Sequence, residues 1–125
     1  ALNCGLYSME TDNSGGGKLN VNPLQIDYLG KKLSPEKIKM LDVLGNITSD
    51  FPPTFVMSAQ YDFLKANAQP MTEFLKSKGI ETECKIYGEE GQEYIAHVFH
   101  VNMNLKEAKV CNQDEVAFFK KHIVK

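Results

Sequence analysis

Asp62 and His97 are the two residues of this chain whose types and positions suit a shared reaction. A carboxylate that accepts a hydrogen bond from an imidazole fixes the tautomer of the ring, and nucleophilic hydrolases use such a pair to activate a nucleophile. His97 lies in the stretch EYIAHVFH, which also holds His100. The plainer interpretation is that Asp62 only caps a turn and that His97 is an ordinary loop histidine. Their positions relative to the secondary structure bear on this choice.

Two strands joined by a helix are predicted to hold the pair. Residues 54–59 form a compact apolar run after two prolines, which indicates a buried strand, and Asp62 follows its end. A helix is predicted over residues 70–78, and residues 80–87 alternate as a half-exposed strand, with Ile86 on the inner face and Tyr87 on the outer one. A strand, a helix and a second strand in this order form a right-handed crossover, so the strands are parallel and their carboxyl ends meet. We therefore expect Asp62 and His97 to lie in hydrogen-bond contact.

The remaining elements complete an α/β architecture. Residues 2–7 are short and apolar, as in a buried strand, and the stretch 22–44 is predicted to form two short helices, with Ser34 and Pro35 as cap and first residue of the second. A last helix is predicted from about Gln113, with Asn112 as its cap and three residues facing inward: Val116, Phe119 and Ile123. These elements predict a three-layer α/β/α sandwich with a mostly parallel sheet.

Other chemistries are less well supported by the sequence. A zinc site at His97 and His100 needs further ligands, and the clustered acids nearby, Glu89, Glu90 and Glu93, lie in a loop. A Cys-His nucleophile needs a thiol exposed near His97, whereas Cys84 is predicted to face the core. The stretch METDNSGGGK lacks the spacing of a phosphate-binding loop. We expect the three cysteines to be reduced thiols of the core.

Composition narrows the possible partners and location. The chain has 125 residues, a net charge of −2 and 14 basic residues that are all lysine, with no basic cluster that would favour nucleic acid. No apolar run reaches the roughly 20 residues of a membrane-spanning helix. We expect a cytoplasmic protein with no nucleic-acid partner, no cofactor and no metal.

Three stretches of the sequence carry a family resemblance: FPPTFVMSAQYDFL, KGIETECKIYGEEGQEYIAHVFH and DEVAFFKKHI. Over residues 51–123 the chain resembles the C-terminal third of an α/β-hydrolase of the hormone-sensitive-lipase-like esterase group. The matching positions are Pro52, Pro53, Asp62, Leu64, Gly79, Tyr87, His97 and Phe99. The resemblance implies that Asp62 and His97 are the acid and the base of a Ser-Asp-His triad acting on a small-molecule acyl ester. It also implies that residues 1–7 are a core strand, 8–50 a lid-like helical insertion and 51–125 the core that carries both site residues.

The chain departs from this family at informative places. Ala59, Phe63 and Val98 stand where the family usually has glycine, proline and glycine, and the chain has neither a Gly-x-Ser-x-Gly elbow nor a His-Gly-Gly motif. We therefore expect the nucleophile serine to lie upstream of Ala1, and this polypeptide alone to be inactive. Because the first strand then lacks its neighbour, we expect either self-association or a missing N-terminal segment. The alternative function is a non-catalytic α/β binding or regulatory domain.

Overall fold

A computed structural model of the chain describes residues 1–7, 30 and 34–123. The chain divides into two compact units, one formed by Ala1–Gly5 and Ser49–Lys125 and the other by Leu6–Thr48. The first unit contains the sheet and every residue of the candidate site.

The sheet consists of three parallel strands in the order β1 (Leu2–Asn3), β2 (Thr54–Ala59) and β3 (Thr82–Tyr87). All six residues of β2 are buried, which fits a central strand with both faces covered. The predicted parallel pairing of β2 and β3 is confirmed. β1 is shorter than the strand predicted over residues 2–7.

The crossover between β2 and β3 contains helix α3 (Ala68–Ser77). Its apolar face buries Met71 and Leu75 against the sheet. Gly79 ends the segment with a φ of 77°, a left-handed conformation that glycine adopts at low cost after a helix. α3 therefore brings the chain back so that β3 lies beside β2 in parallel.

The other face of the sheet is covered by helix α4 (Lys106–Ile123). A single core cluster joins residues of β2 and of this helix: Phe55, Met57, Ala59, Ala108, Cys111 and Phe118. Because side chains alternate across a strand, the two helices cover opposite faces of the sheet. The predicted three-layer α/β/α arrangement is confirmed.

The predicted start of the last helix was wrong, and so were two of the three residues expected on its inner face, whereas the third, Phe119, packs against the core cluster. Asn112 lies inside α4, where its side-chain amide donates to the carbonyls of Ala108 and His100, both at 2.8 Å. Val116 and Ile123 are exposed, since the buried stripe runs through Ala108, Cys111 and Phe118 instead. Asparagine favours helix caps, but Asn112 lies inside α4 and its side chain donates to backbone carbonyls there, which is why the start was misplaced.

The assignment of faces on β3 also needs correction. Ile86 is exposed, whereas Tyr87 packs against the core and donates a hydrogen bond of 2.8 Å to Asp114 of α4. The alternating pattern identifies two faces, but it does not tell which one a long helix will cover.

The second unit contains helices α1 (Pro35–Leu41) and α2 (Val43–Asn46). The hydroxyl of Ser34 accepts a hydrogen bond from the amide of Lys37, and Pro35 is the first helical residue, as predicted. The helix predicted near residues 22–29 lies outside the described residues. Within the described part of the chain, no helix is both long and apolar enough to cross a membrane.

Candidate active site

The carboxyl ends of β2 and β3 continue beyond the strands as a short parallel contact. The amide of Gln60 donates to the carbonyl of Tyr87 at 2.7 Å, and the amide of Tyr61 donates to that of Ile95 at 3.3 Å. Tyr61 and Ala96 form an isolated parallel bridge. The residues that follow this bridge on the two segments are Asp62 and His97, so the backbone itself sets them side by side.

The loop from β3 to His97 is anchored at three points. Ile95 is fully buried in the core cluster. Gly88 has a φ of 87°, and a Cβ at this position would lie 2.9 Å from the Cβ of Ile95, so any larger residue would push the anchor away. The hydroxyl of Tyr61 accepts a hydrogen bond of 2.7 Å from the amide of Gly91. These contacts therefore hold the backbone that precedes His97 in a fixed position.

Asp62 and His97 form the expected contact, with 3.1 Å between the Oδ1 atom of the acid and the Nδ1 atom of the imidazole. The Asp62 side chain is 0% exposed and that of His97 is 35% exposed. Two further donors hold the carboxylate: the hydroxyl of Ser58 at 2.9 Å from Oδ2 and the amide of Leu64 at 2.8 Å from Oδ1. The acid is thus fixed in one orientation, while the ring remains accessible from one side.

The hydrogen bonds at Asp62 outweigh the effect of its burial. Burial by itself raises the pKa of a carboxyl group, because it disfavours the charged form. The pKa of Asp62 is nevertheless lowered, since hydrogen bonds from Cys4, Leu64, Ser58 and His97 favour the carboxylate. Asp62 is therefore ionised at neutral pH and acts as the acceptor for His97.

The contact through Nδ1 fixes what His97 can do. A carboxylate acceptor places the proton of the neutral ring on Nδ1, which leaves the lone pair of Nε2 for a proton transfer. The ring of Phe63, which is 76% exposed, lies 4.6 Å from the imidazole between centroids. An apolar group of a ligand that approached His97 would therefore meet an aromatic surface.

Backbone strain is concentrated beside the pair. Among the described residues, the two non-glycine residues with positive φ are Cys4, at 52°, and Val98, at 54°. This conformation is costly for a β-branched residue such as Val98, and strained residues of this kind cluster at functional sites. The two residues also lie close together, because the backbone of Val98 acts to lower the pKa of the Cys4 thiol.

The thiol of Cys4 belongs to the same cluster. Its Sγ atom, a carboxylate oxygen of Asp62 and a ring nitrogen of His97 all lie within 4.8 Å of one another. Cys4 is only 5% exposed, and burial, followed by its hydrogen bond to Asp62, raises its pKa to about 12. A shielded, protonated thiol is a poor nucleophile, so the cluster is not a Cys-His catalytic pair.

The other two histidines lie apart from this cluster. Among the described residues, His100 is not part of the cluster that could hold a metal, so a zinc site at His97 and His100 has no support. Burial lowers the pKa of His100. His122 packs on the ring of Phe118, and its Nε2 atom lies 3.6 Å from the carboxylate of Glu81.

Sequence reasoning missed two members of the site. From the sequence, Cys4 is one of three cysteines expected to be core thiols, and Ser58 is one residue of the strand predicted over residues 54–59. One signal was present for Cys4: it follows a strand parallel to β2, so its backbone reaches the same edge of the sheet as Asp62. For Ser58, the spacing of four residues to Asp62 gave no comparable indication.

Comparison with known proteins supports the fold. No protein-family model and no curated protein sequence matches the chain. Two solved structures of esterase B from Lactobacillus rhamnosis do match. One, a C6-C4 SN3 inhibited form, has a TM-score of 0.73 and 16% identity over 96% of this chain. The other, from HN001, has a TM-score of 0.53 and 18% identity over 64% of it.

The chain spans 39% and 25% of the length of these two esterase chains, respectively. At this level of identity the likeness establishes the fold alone. The chain therefore has an α/β fold similar to part of the fold of these two structures.

Proposed function

We propose that this chain is the acid and histidine portion of a serine ester hydrolase of the carboxylesterase or lipase type. The observation that carries the proposal is the contact between the buried Asp62 carboxylate and Nδ1 of the partly exposed His97, at the carboxyl ends of two adjacent parallel strands. Working residues of open parallel sheets gather at this edge. The likeness of the fold to two esterase B structures supports the same class.

In the proposed reaction, His97 transfers protons and Asp62 orients it. A serine located upstream of Ala1 attacks the ester carbonyl while Nε2 of His97 takes the hydroxyl proton, and the imidazolium then returns this proton to the leaving alcohol. Asp62 holds the ring in the required tautomer and stabilises the imidazolium. The substrate is a small acyl ester, and Phe63 contributes an apolar wall next to the histidine.

The remaining parts of the proposal concern the rest of the chain. Residues 1–7 serve as a core strand, 8–50 as a lid-like helical insertion, and 51–125 as the core that carries both site residues. A cytoplasmic location and self-association stay predictions, and light scattering of the purified chain at increasing concentration tests the second of them.

The experiment begins with the coding sequence upstream of Ala1. The proposal expects a His-Gly-Gly motif and a Gly-x-Ser-x-Gly motif there, and a protein that includes them should hydrolyse p-nitrophenyl butyrate and react with a fluorophosphonate probe at the elbow serine. The 125-residue chain alone should do neither.

Two outcomes would contradict the proposal. If the upstream sequence contained no nucleophile elbow, the chain would be better explained as a non-catalytic binding or regulatory domain. If the probe labelled a serine within the 125 residues, the assignment of the nucleophile would be wrong.

A further inference from the structure

The three side chains at the sheet edge form a ligand set that the proposed hydrolysis does not require. A serine hydrolase needs the acid and the imidazole, but it has no use for a buried thiol against both of them. Cys4, Asp62 and His97 offer a sulfur, an oxygen and a nitrogen atom within 4.8 Å of one another. They come from three separate segments, after β1, after β2 and after β3, so the fold itself brings them together.

This combination of donor atoms suits Zn²⁺. Thiolate, imidazole and carboxylate are its usual protein ligands, at about 2.3, 2.0 and 2.1 Å, and a site with three protein ligands keeps one position for water. Ligand atoms around a tetrahedral ion at such distances lie roughly 3.3 to 3.7 Å apart. The Asp62 to His97 contact, at 3.1 Å, is already close to this spacing.

The surroundings of the cluster also suit an ion. Ser58 and Leu64 hold the carboxylate of Asp62 by hydrogen bonds of 2.9 and 2.8 Å. Such supporting bonds orient ligands and are common around metal sites. His97, whose side chain is 35% exposed, is the member of the cluster that reaches solvent.

We propose that Cys4, Asp62 and His97 form a binding site for Zn²⁺ with water as the fourth ligand. The thiol of Cys4 loses its proton to solvent when the Zn–S bond forms. On His97 the metal takes the Nδ1 lone pair, so the ring proton moves to Nε2. The ion thus adds two positive charges and one proton leaves, and the complex of Zn²⁺ with one thiolate and one carboxylate is neutral.

The site implies control of the neighbouring chemistry. With the proton on Nε2, His97 has no lone pair left to take a proton from a nucleophile, so Zn²⁺ acts as a reversible inhibitor. This consequence rests on the proposed function, whereas the binding itself does not.

The test measures binding directly in the 125-residue chain. Co²⁺ is titrated as a spectroscopic substitute for Zn²⁺, and a charge-transfer band in the near ultraviolet reports a cobalt–thiolate bond. Cys4→Ser and His97→Ala should each weaken binding by at least about 100-fold, and Cys4→Ser should remove the band. The matched controls, Cys84→Ser and His122→Ala, change another cysteine and another histidine. They should leave the cobalt affinity and the charge-transfer band unchanged. Zn²⁺ should displace Co²⁺.

A second measurement needs no substitution. In long-range ¹H–¹⁵N spectra, Zn²⁺ should move the ring proton of His97 from Nδ1 to Nε2 and leave His122 unaffected. A cobalt band that survives Cys4→Ser, or a His97 tautomer that does not respond to Zn²⁺, would overturn the metal site. Zn²⁺ binding without loss of ester hydrolysis in the serine-containing protein would instead contradict the catalytic role of His97.

Discussion

The described residues include two contacts between a histidine and a carboxylate, and they differ in almost every physical respect. Asp62 and His97 lie 3.1 Å apart, and the acid side chain is 0% exposed. Glu81 and His122 lie 3.6 Å apart, and the glutamate side chain is 54% exposed. Glu81 also pairs with Lys121, whose hydrogen bond is the main reason for its lowered pKa. A carboxylate close to an imidazole is therefore not in itself a catalytic pair.

The difference lies in how firmly each acid is held. Asp62 is fixed by the hydroxyl of Ser58 and the amide of Leu64 before it meets the histidine. Glu81 is exposed to solvent. Its ion pairs have little orienting effect because water and salt screen them. Only the buried acid can dictate the tautomer of its partner.

The largest expected difference concerns ester hydrolysis by a protein that includes the proposed upstream serine. His97→Ala should lower turnover by several orders of magnitude, and Asp62→Asn by about 10⁴, the loss typical for a triad's orienting acid. His122→Ala and Glu81→Gln should leave turnover near its original value, as steady-state kinetics would show. If the variants of both pairs lost turnover equally, the claim that only Asp62 and His97 take part in catalysis would be contradicted.

The next effect concerns the dependence of stability on pH. Folding lowers the pKa of Asp62 from its ordinary 3.8, so the ionised acid stabilises the fold above that pH, and this contribution is lost as pH falls through the lowered value. Asp62→Asn should reduce the free energy of unfolding at pH 7 by about 1 to 3 kcal/mol, since the amide accepts fewer hydrogen bonds than the carboxylate.

Urea denaturation at several pH values measures this contribution. The gap between the original chain and the Asp62→Asn variant should begin to narrow below about pH 4 and close as the pH falls through the lowered pKa of Asp62. The control Glu81→Gln should show a smaller gap. A gap for Asp62→Asn that persisted unchanged at low pH would mean that its charge is not the cause.

A smaller effect is expected when the supporting donor of each acid is removed. Ser58→Ala deletes the hydroxyl bound to Asp62 and should lower stability by about 1 to 2 kcal/mol. It should also lower ester turnover, roughly tenfold, because the carboxylate gains freedom to rotate. Lys121→Ala deletes the partner of Glu81 and should change turnover by no measurable amount. If Ser58→Ala left turnover unaffected, the orientation of Asp62 would not depend on this bond.

The smallest effect concerns the strained residue after His97. Val98→Gly relieves the left-handed backbone but loses the rigidity of valine, so the free energy of unfolding should rise by only about 0.5 kcal/mol. Thermal and urea unfolding would measure it. A clear loss of stability would show that the valine side chain contributes more through packing than its backbone costs.

The contact between Asp62 and His97 could be predicted because local patterns determine it. The apolar run of β2, the helix after it and the alternation of β3 together require parallel strands, whose ends must meet. The contact of Glu81 with His122 could not be predicted, since it depends on where a long helix lies on the sheet. The wrong face of Tyr87 has the same origin, whereas the start of α4 was misplaced because Asn112, a residue type that favours caps, lies inside the helix.

The position of Cys4 depended on a backbone detail that the sequence hides. The pair Cys4-Gly5 directs attention to the glycine as the residue with unusual backbone angles, yet Cys4 itself has the positive φ. This conformation is a consequence of packing between segments that are distant in the chain. Patterns within one segment carry no information about such packing.

The tautomer of His97 tests the central claim most directly. Long-range ¹H–¹⁵N spectra of the metal-free chain with labelled histidine should show the proton of neutral His97 on Nδ1, directed at Asp62, and Asp62→Asn should move it to Nε2. Glu81→Gln should change nothing at His97. A neutral His97 that carries its proton on Nε2 in the original chain would contradict the claim that Asp62 prepares this histidine to act as a base.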